Sequence, residues 1–442
     1  MKFKFSYYLV ILTVLLFSCI TPVDDVDDPT KEDPKTEEPK PQEPEEPVTF
    51  DPKIPFPQSA NTNIYNTVRP NHLSEEEINE KVADYYKYWR NNYLQHGSYV
   101  MGSYYVSGGN TGGTDEDKGT SEGHGYGMII TALMGGYDDA AKDYFDGLVK
   151  MYNASRSKNN DYLMAWRITA REDGGGKIGS ATDGDMDVAY ALLLAHEQWG
   201  SEGEYNYLDL AKDMIVKGIK AKLVHPSSGR LMLGDWDSNM WTTRPSDWMA
   251  DHLRAFHHYT NEGIFLTAAE TIYNLTWQLV DSHSPETGLL PDFVVGDIPE
   301  PAAPNFLEGA NDGDYNWNAC RIPLRYAVDY HHYGNEDAKR WLEMVSAWVV
   351  ESSEGEPGKT AMGYFLNGDV ITGRETWGYS LSYLAPFVAG TTVSAEHQEW
   401  INKGFNIMTS TKKNYYDDTL NMLSLLLVSG NWWSPELAAS AK

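Results

Sequence analysis

Ser180-Ala181-Thr182-Asp183-Gly184-Asp185-Met186-Asp187-Val188-Ala189-Tyr190-Ala191-Leu192-Leu193-Leu194-Ala195 sets three acids at alternate positions just ahead of a run of small and apolar side chains. From Val188 to Ala195 the segment has no face to offer water, which predicts a helix enclosed by others. Ser74–Trp89 is the opposite kind, charged and amphipathic, as expected of a helix with one face on a core and one in solvent. The two kinds alternate along the chain. Apolar-periodic segments recur near 74–96, 122–134, 137–152, 186–199, 205–222, 247–259, 263–281, 317–333, 336–352, 376–388, 396–409 and 418–429, twelve helices separated by Gly, Pro, Ser and Asn. Outer and inner members in alternation predict an all-α fold in which six hairpins close into an (α/α)6 toroid. An irregular bundle or a solenoid is the competing arrangement, and no repeat of fixed period supports the solenoid.

The acids of this segment superficially resemble a calcium loop. An EF-hand needs Gly at its sixth position and Glu at its twelfth, and counting from Asp183 these are Val188 and Leu194, so calcium is excluded there. His257-His258 and His331-His332 are adjacent on helices and point different ways, so neither pair makes a metal site unaided. No metal and no cofactor are expected.

A second acidic helix start is Ser121-Glu122-Gly123-His124-Gly125-Tyr126-Gly127-Met128, followed by the apolar run to Met134. The three glycines bare the backbone, which suggests close approach of a bulky ligand. A carboxyl group among apolar and aromatic neighbours has its charged form disfavoured and can hold a proton near neutral pH. Capping is the alternative for Glu122, since acids favour a first turn. Two further segments gather functional groups at proposed inner-helix starts. In Arg244-Pro245-Ser246-Asp247-Trp248-Met249, Ser246 or Asp247 can cap and Trp248 can line a cleft. In Phe306-Leu307-Glu308-Gly309-Ala310-Asn311-Asp312-Gly313-Asp314-Tyr315-Asn316-Trp317-Asn318-Ala319-Cys320-Arg321, acids and aromatics crowd a loop, the mark of a binding surface.

Composition narrows the ligand. Aromatics make up 13% of the 442 residues, with 14 Trp and 29 Tyr, flat side chains suited to sugar rings or bases. A formal charge of −29 argues against nucleic acid, which needs clustered Lys and Arg. Lys2 and Lys4 precede an apolar run to Phe17 that ends in Ser18-Cys19, the pattern of a signal peptide over 1–18. It resembles a bacterial lipoprotein signal, which implies lipidation of Cys19 and attachment to a membrane at the cell surface or in the periplasm. Residues 19–49 read as a tether: between Asp24 and Pro47 eleven acids and three bases, with many prolines, keep the chain extended. From residue 50 to residue 442 no second linker interrupts the pattern, so a single domain is expected, monomeric and itself acidic at −23.

Together the motifs resemble glycoside hydrolase family 8. Glu122 falls in that family's acid motif, Ala181-Thr182-Asp183-Gly184-Asp185 in its second acidic signature, and Asn318-Ala319-Cys320-Arg321 in its third block. The resemblance spans roughly 70–430 and implies an (α/α)6 barrel that cleaves β-1,4-linked polysaccharides with inversion. It implies Glu122 as general acid and Asp183 as the carboxylate holding the sugar beside the cleaved bond. Family cellulases and xylanases carry an aspartate base where this chain has Asn318, and an amide cannot accept a proton at neutral pH. The departure resembles the branch of chitosanases and mixed-linkage glucanases, in which a glutamate on an inserted loop is the base; here that is Glu308, with Asp312 and Asp314 as fallbacks. Inversion places the two carboxyl groups about 6.5–9.5 Å apart, leaving room for water.

The expected function is therefore an inverting endo-β-1,4-glycanase acting on chitosan or β-glucan, with xylan cleavage or a non-catalytic glycan-binding lipoprotein as alternatives. Trp236, Trp241, Trp248, Tyr126, Tyr315 and Trp317 are expected to stack on sugars, whereas Trp166 is expected to pack in the core. His124 is expected to hydrogen-bond a substrate or a loop carbonyl, and Arg321 to pair with a carboxylate in or behind the cleft. Asp247, where related enzymes commonly carry an aromatic residue, could face an ammonium group, and an acidic domain would attract cationic chitosan.

Overall fold

The computed structural model describes residues 50–58, 65, 67–108, 118–170 and 178–440. The expected signal segment and tether, with Cys19, lie outside them. Twelve elements follow the expected alternation. Helices α1 (Glu75–Tyr93), α3 (Ala141–Ala154), α5 (Tyr207–Asp213, continuing through a π-helical turn at Met214–Ile219 into α6, Lys220–Lys222), α8 (Ile264–His283), α10 (Glu336–Ser352) and α12 (Gln398–Ser410) bury one face. Helices α2 (Ser121–Leu133), α4 (Thr182–Trp199), α7 (Ala250–Thr260), α9 (Ile322–Tyr333), α11 (Leu381–Thr391) and α13 (Tyr415–Val428) form the inner layer. Of these, α2, α9, α11 and α13 are enclosed almost all round, and in α4 only His196 reaches partial exposure. Each inner helix packs on the next and α13 returns to α2, so the ring closes; outer helices α3, α5, α8, α10 and α12 pack on the inner helix that precedes them, and α1 packs on α13. This is the (α/α)6 toroid. A short helix α14 (Pro435–Ser440) and two antiparallel pairs, β1 (Leu94–His96) with β2 (Tyr104–Val106) and β3 (Val294–Val295) with β4 (Glu300–Pro301), complete it. Among the described residues no helix is long and apolar enough to cross a membrane.

Helix starts decide where functional side chains sit, and three differ from expectation. Helix α4 begins at Thr182, so its acids lie within the first turns and project differently. Residues four apart share a helix face while those two apart oppose each other. Accordingly Asp183 reaches the open end of the ring and Asp187 pairs with Arg325 at 2.6 Å and His252 at 3.0 Å, while Asp185 turns away to accept the Met164 amide at 2.7 Å. Helix α7 begins only at Ala250, leaving Asp247 in a preceding 3-10 turn, and neither Ser246 nor Asp247 caps it. Helix α9 begins at Ile322 with Pro323 in its first turn, where a missing N–H costs no bond, so Trp317 and Asn318 stay on the loop.

The glycines of α2 serve the fold rather than a ligand. A Cβ on Gly123 would collide with the Tyr415 hydroxyl, on Gly125 with Asp187 and the α4 backbone, and on Gly127 with Val106. Gly184 of α4 in turn has no room beside Ser121. Bare backbone here lets α2 and α4 approach closely, and that approach brings Glu122 beside Asp183.

Candidate active site

The starts of α2, α4, α7 and α9 converge at one end of the ring, around a cleft of about 460 Å³. Its wall includes Glu122, Trp166, Asp183, Trp236, Arg244, Glu308 and Asn318. Glu122 does not cap its helix. Thr120 does, its hydroxyl accepting the Gly123 amide at 3.1 Å, so the glutamate side chain remains available for the cleft.

Arg321 organises the floor. It is wholly buried; Nη1 donates to Glu122 Oε2 and, at 2.7 Å, to Asp183 Oδ2, while Nη2 donates to Asn318 Oδ1 and Ser246 Oγ, each at 2.8 Å. A planar guanidinium can hold several partners in a fixed fork, which a lysine could not. The expectation that Arg321 pairs with carboxylates behind the cleft holds geometrically, and its burial rules out the role of an exposed sugar ligand. The two carboxyls it touches behave oppositely. Burial pushes Glu122 up to about 7 against the pull of Arg321, with the adjacent charge of Asp183 adding to the rise. Burial alone would also raise Asp183, but Arg244 and Arg321 hold it well below the usual carboxylate range. Glu122 thus holds its proton up to about neutral pH, where Asp183 is already charged.

The opposite wall is a built loop. Asp312 is buried and accepts the backbone amides of Leu307, Glu308 and Gly309 at 2.7, 3.0 and 2.9 Å, so this fallback base is consumed in shaping the turn that presents Glu308. Asp314 bonds the Asn311 amide at 2.8 Å and does not line the cleft. Glu308 itself is half-exposed, its Oε1 3.7 Å from Arg244 and its Oε2 accepting from Asn318 Nδ2 at 2.9 Å. Asn318 therefore bridges the site: it accepts from Arg321 with one end and donates to Glu308 with the other. An aspartate could do the first, but beside Glu308 it would repel, which is the physical sense of the amide at this position.

Two organising residues escaped the sequence reading. Asp292 is buried, raised to about 7 by that burial, and accepts the amides of Asn316, Asn318 and Ala319 at 3.1, 3.1 and 2.7 Å, fixing the turn that carries Asn318. Nothing in its neighbourhood, Pro291-Asp292-Phe293, announces this. Arg244 lies 3.1 Å from Asp247 and 3.7 Å from Asp183 as well as near Glu308. A base heading an acid-bearing segment in so acidic a chain was the available signal.

Other expectations are corrected. Asp247 is wholly buried and bonded to Arg244 and Ser246, so its carboxyl is closed off from an ammonium group in the cleft. Trp248 is buried, donating to Thr243 Oγ1 at 2.9 Å, and Tyr315 is buried against Phe387 and Tyr383; both are core. Tyr126 lies beneath the floor, its hydroxyl 3.4 Å from Arg321, and His124 bonds the Leu148 carbonyl at 2.9 Å; neither reaches a ligand. An aromatic at an inner-helix start points into the ring as readily as out of it. Trp241 lies beneath the Arg230 guanidinium, outside the cleft wall. Conversely Trp166, expected in the core, is 38% exposed and lines the cleft with Trp236, whose indole donates to the Ser180 carbonyl at 3.1 Å. Trp317 stands partly exposed beside Asn318.

A protonated carboxyl and a second, solvent-facing carboxyl sharing one tryptophan-walled cleft can deliver a proton to a leaving oxygen and withdraw one from water. Fold and site together define a glycoside hydrolase. Residues 105–430 match the model of glycosyl hydrolases family 8, an inverting family, and the chain belongs to it. It is 44% identical over 386 residues to an endoglucanase of Bacillus sp. (strain KSM-330), covering 86% of this chain and 82% of that protein. It is 40% identical over 389 residues to a beta-glucanase of Niallia circulans, covering 87% and 92%. The apo structure of a beta-1,3-1,4-glucanase from Paenibacillus sp. X4 superimposes with a TM-score of 0.80 at 39% identity, covering 87% of this chain and all of that one.

Proposed function

We propose that the protein is an inverting endo-β-glucanase in which Glu122 is the general acid, Glu308 the general base, and Asp183 the charged carboxylate that holds the sugar at the cleaved bond. The Asn318–Glu308 hydrogen bond carries this reading, because it orients a carboxyl outside the floor into the cleft that Glu122 also lines. The relatives named endoglucanase and beta-glucanase support a glucan substrate, mixed-linkage β-glucan before others. Chitosan loses the support Asp247 would have lent, since that carboxylate is closed off. Reducing ends released from mixed-linkage β-glucan, carboxymethyl cellulose, chitosan and xylan are expected to be most abundant from the first; a preference for chitosan or xylan would overturn the substrate, and release from none the activity.

Asp183→Asn tests the coupling on the floor. Removing that charge removes a repulsion that raises Glu122, so the acid loses its proton at lower pH. The alkaline limb of kcat should move to lower pH while turnover falls; an unmoved limb would separate Asp183 from Glu122.

We also propose that the enzyme is a monomer displayed on a membrane by a lipid on Cys19, with residues 19–49 as an extended spacer that lets the toroid reach polymer. The apolar run ending at Ser18-Cys19 and the charged, proline-rich stretch behind it support this. Cys19→Ala is expected to move activity from the membrane fraction to the soluble one, and unchanged retention would count against the anchor.

A further inference from the structure

Beyond the cleft, past Asn318, the surface carries a second aromatic feature that the mechanism does not use. Trp377 is 52% exposed, more so than Trp166, Trp236 or Trp317. Large apolar area left in water is a standing source of binding energy. The indole lies between Gly373 and Gly378, both in the left-handed region at φ +87° and +75°, and a Cβ on either would meet open space, so these turns lift Trp377 away from the body of the protein.

The ring is nonetheless held. Arg374 donates from Nη1 to Asn316 Oδ1 at 2.8 Å and to the Met362 carbonyl at 2.7 Å, and from Nη2 to Asn311 Oδ1 at 3.3 Å. Its guanidinium is thereby tied to the loop that carries Glu308. From that fixed position it lies 5.1 Å from the Trp377 ring and 6.0 Å from the Trp317 ring. Cation–π contact of this kind steadies an exposed indole, and a ring already steadied loses little freedom when a ligand stacks on it. Arg374 thus lies against two indoles, Trp377 and Trp317, the latter next in sequence to the cleft residue Asn318. The flat apolar faces and polar edges of a sugar chain match an exposed indole.

We propose that Trp377, steadied by Arg374 on the side of the Glu308 loop, is a distal platform for an uncharged β-linked glucan, gripping the part of a long chain that extends beyond the cleft. The substrate class rests on the glucanase reading; the platform itself rests on the geometry. Its role is to hold polymer, so it affects long substrates and spares short ones.

The test compares Trp377→Ala and Trp377→Phe with the unmodified enzyme on soluble β-1,3-1,4-glucan and on a tetrasaccharide of the same linkages. Trp377→Ala should raise KM for the polymer about tenfold with kcat unchanged, leave the tetrasaccharide unaffected, and be largely rescued by Phe. Binding without turnover is read by electrophoresis through gels containing the same glucan, each variant in a Glu122→Gln background; Trp377→Ala should lose most of its retardation. Equal retardation with and without Trp377, or equal losses on polymer and tetrasaccharide, would overturn the platform. No hydrolysis by the unmodified enzyme with Trp377-dependent retardation would remove the glucanase reading and keep the platform; no retardation at all would remove the platform.

Discussion

Glu122→Gln is expected to lower kcat by about 10²–10⁴-fold with the fold intact. The amide matches the carboxyl in size but has no acidic proton to give. Arg321 keeps Asp183, Asn318 and Ser246, so no buried charge is stranded, and the cap of α2 stays with Thr120. Reducing-end release measures the loss, and an unchanged thermal transition separates it from misfolding. The same residue sets the pH dependence of the unmodified enzyme. A group raised to about 7 is protonated, and able to donate, below that pH; activity should fall as pH rises through 7. Retained activity in Glu122→Gln, or a profile flat to pH 9, would remove the residue from the role of acid.

Glu308→Ala is expected to cost a similar about 10²–10⁴-fold, with KM little changed. The side chain is half-exposed and the turn beneath it is held by the three amide bonds to Asp312, so its removal leaves the loop standing. Asp314→Ala is the control: it loses only the bond to Asn311 and should remain close to unmodified in turnover. Substitution of Asp312 would be a poor control, because it would collapse the turn and abolish activity without being the base. If Asp314→Ala were inert and Glu308→Ala active, the base would be reassigned.

The toroid was legible because burial leaves a direct mark on sequence. A segment such as Val188–Ala195 can only be enclosed, and one such as Ser74–Trp89 can only be half-enclosed, so their alternation specifies two rings. Which face of a helix start meets the cleft leaves no such mark. Tyr126, Tyr315 and Trp248 look as available as Trp236 in sequence, yet one turn of helix carries Tyr126 inward, a 3-10 turn carries Trp248, and a backbone bridge to Tyr364 carries Tyr315. Trp166 went the other way for the same reason. The glycines of α2 carried a true signal of close approach, but the approaching group is α4 and Tyr415 rather than a ligand.

Acid and base candidates came from motif resemblance, and their supports did not. Arg321 and Glu122 are 199 residues apart, and Asp292 serves a turn 24 to 27 residues downstream. Pairings at such separations follow from ring closure, which no local pattern contains. Asn318 is the instructive case. As a sequence departure it removed the usual base; in the structure it bonds to the carboxyl proposed to replace it.

The division of labour between Glu122 and Glu308 is tested most directly by supplying Glu308→Ala with azide and following the products of β-glucan by proton NMR. Azide can occupy the space of the missing carboxylate and its water and attack the anomeric carbon from the face opposite the leaving oxygen, while Glu122 still donates the proton. Restored cleavage with an α-glycosyl azide as product is the expected result. A β-glycosyl azide, or azide rescue of Asp314→Ala in place of Glu308→Ala, would contradict it.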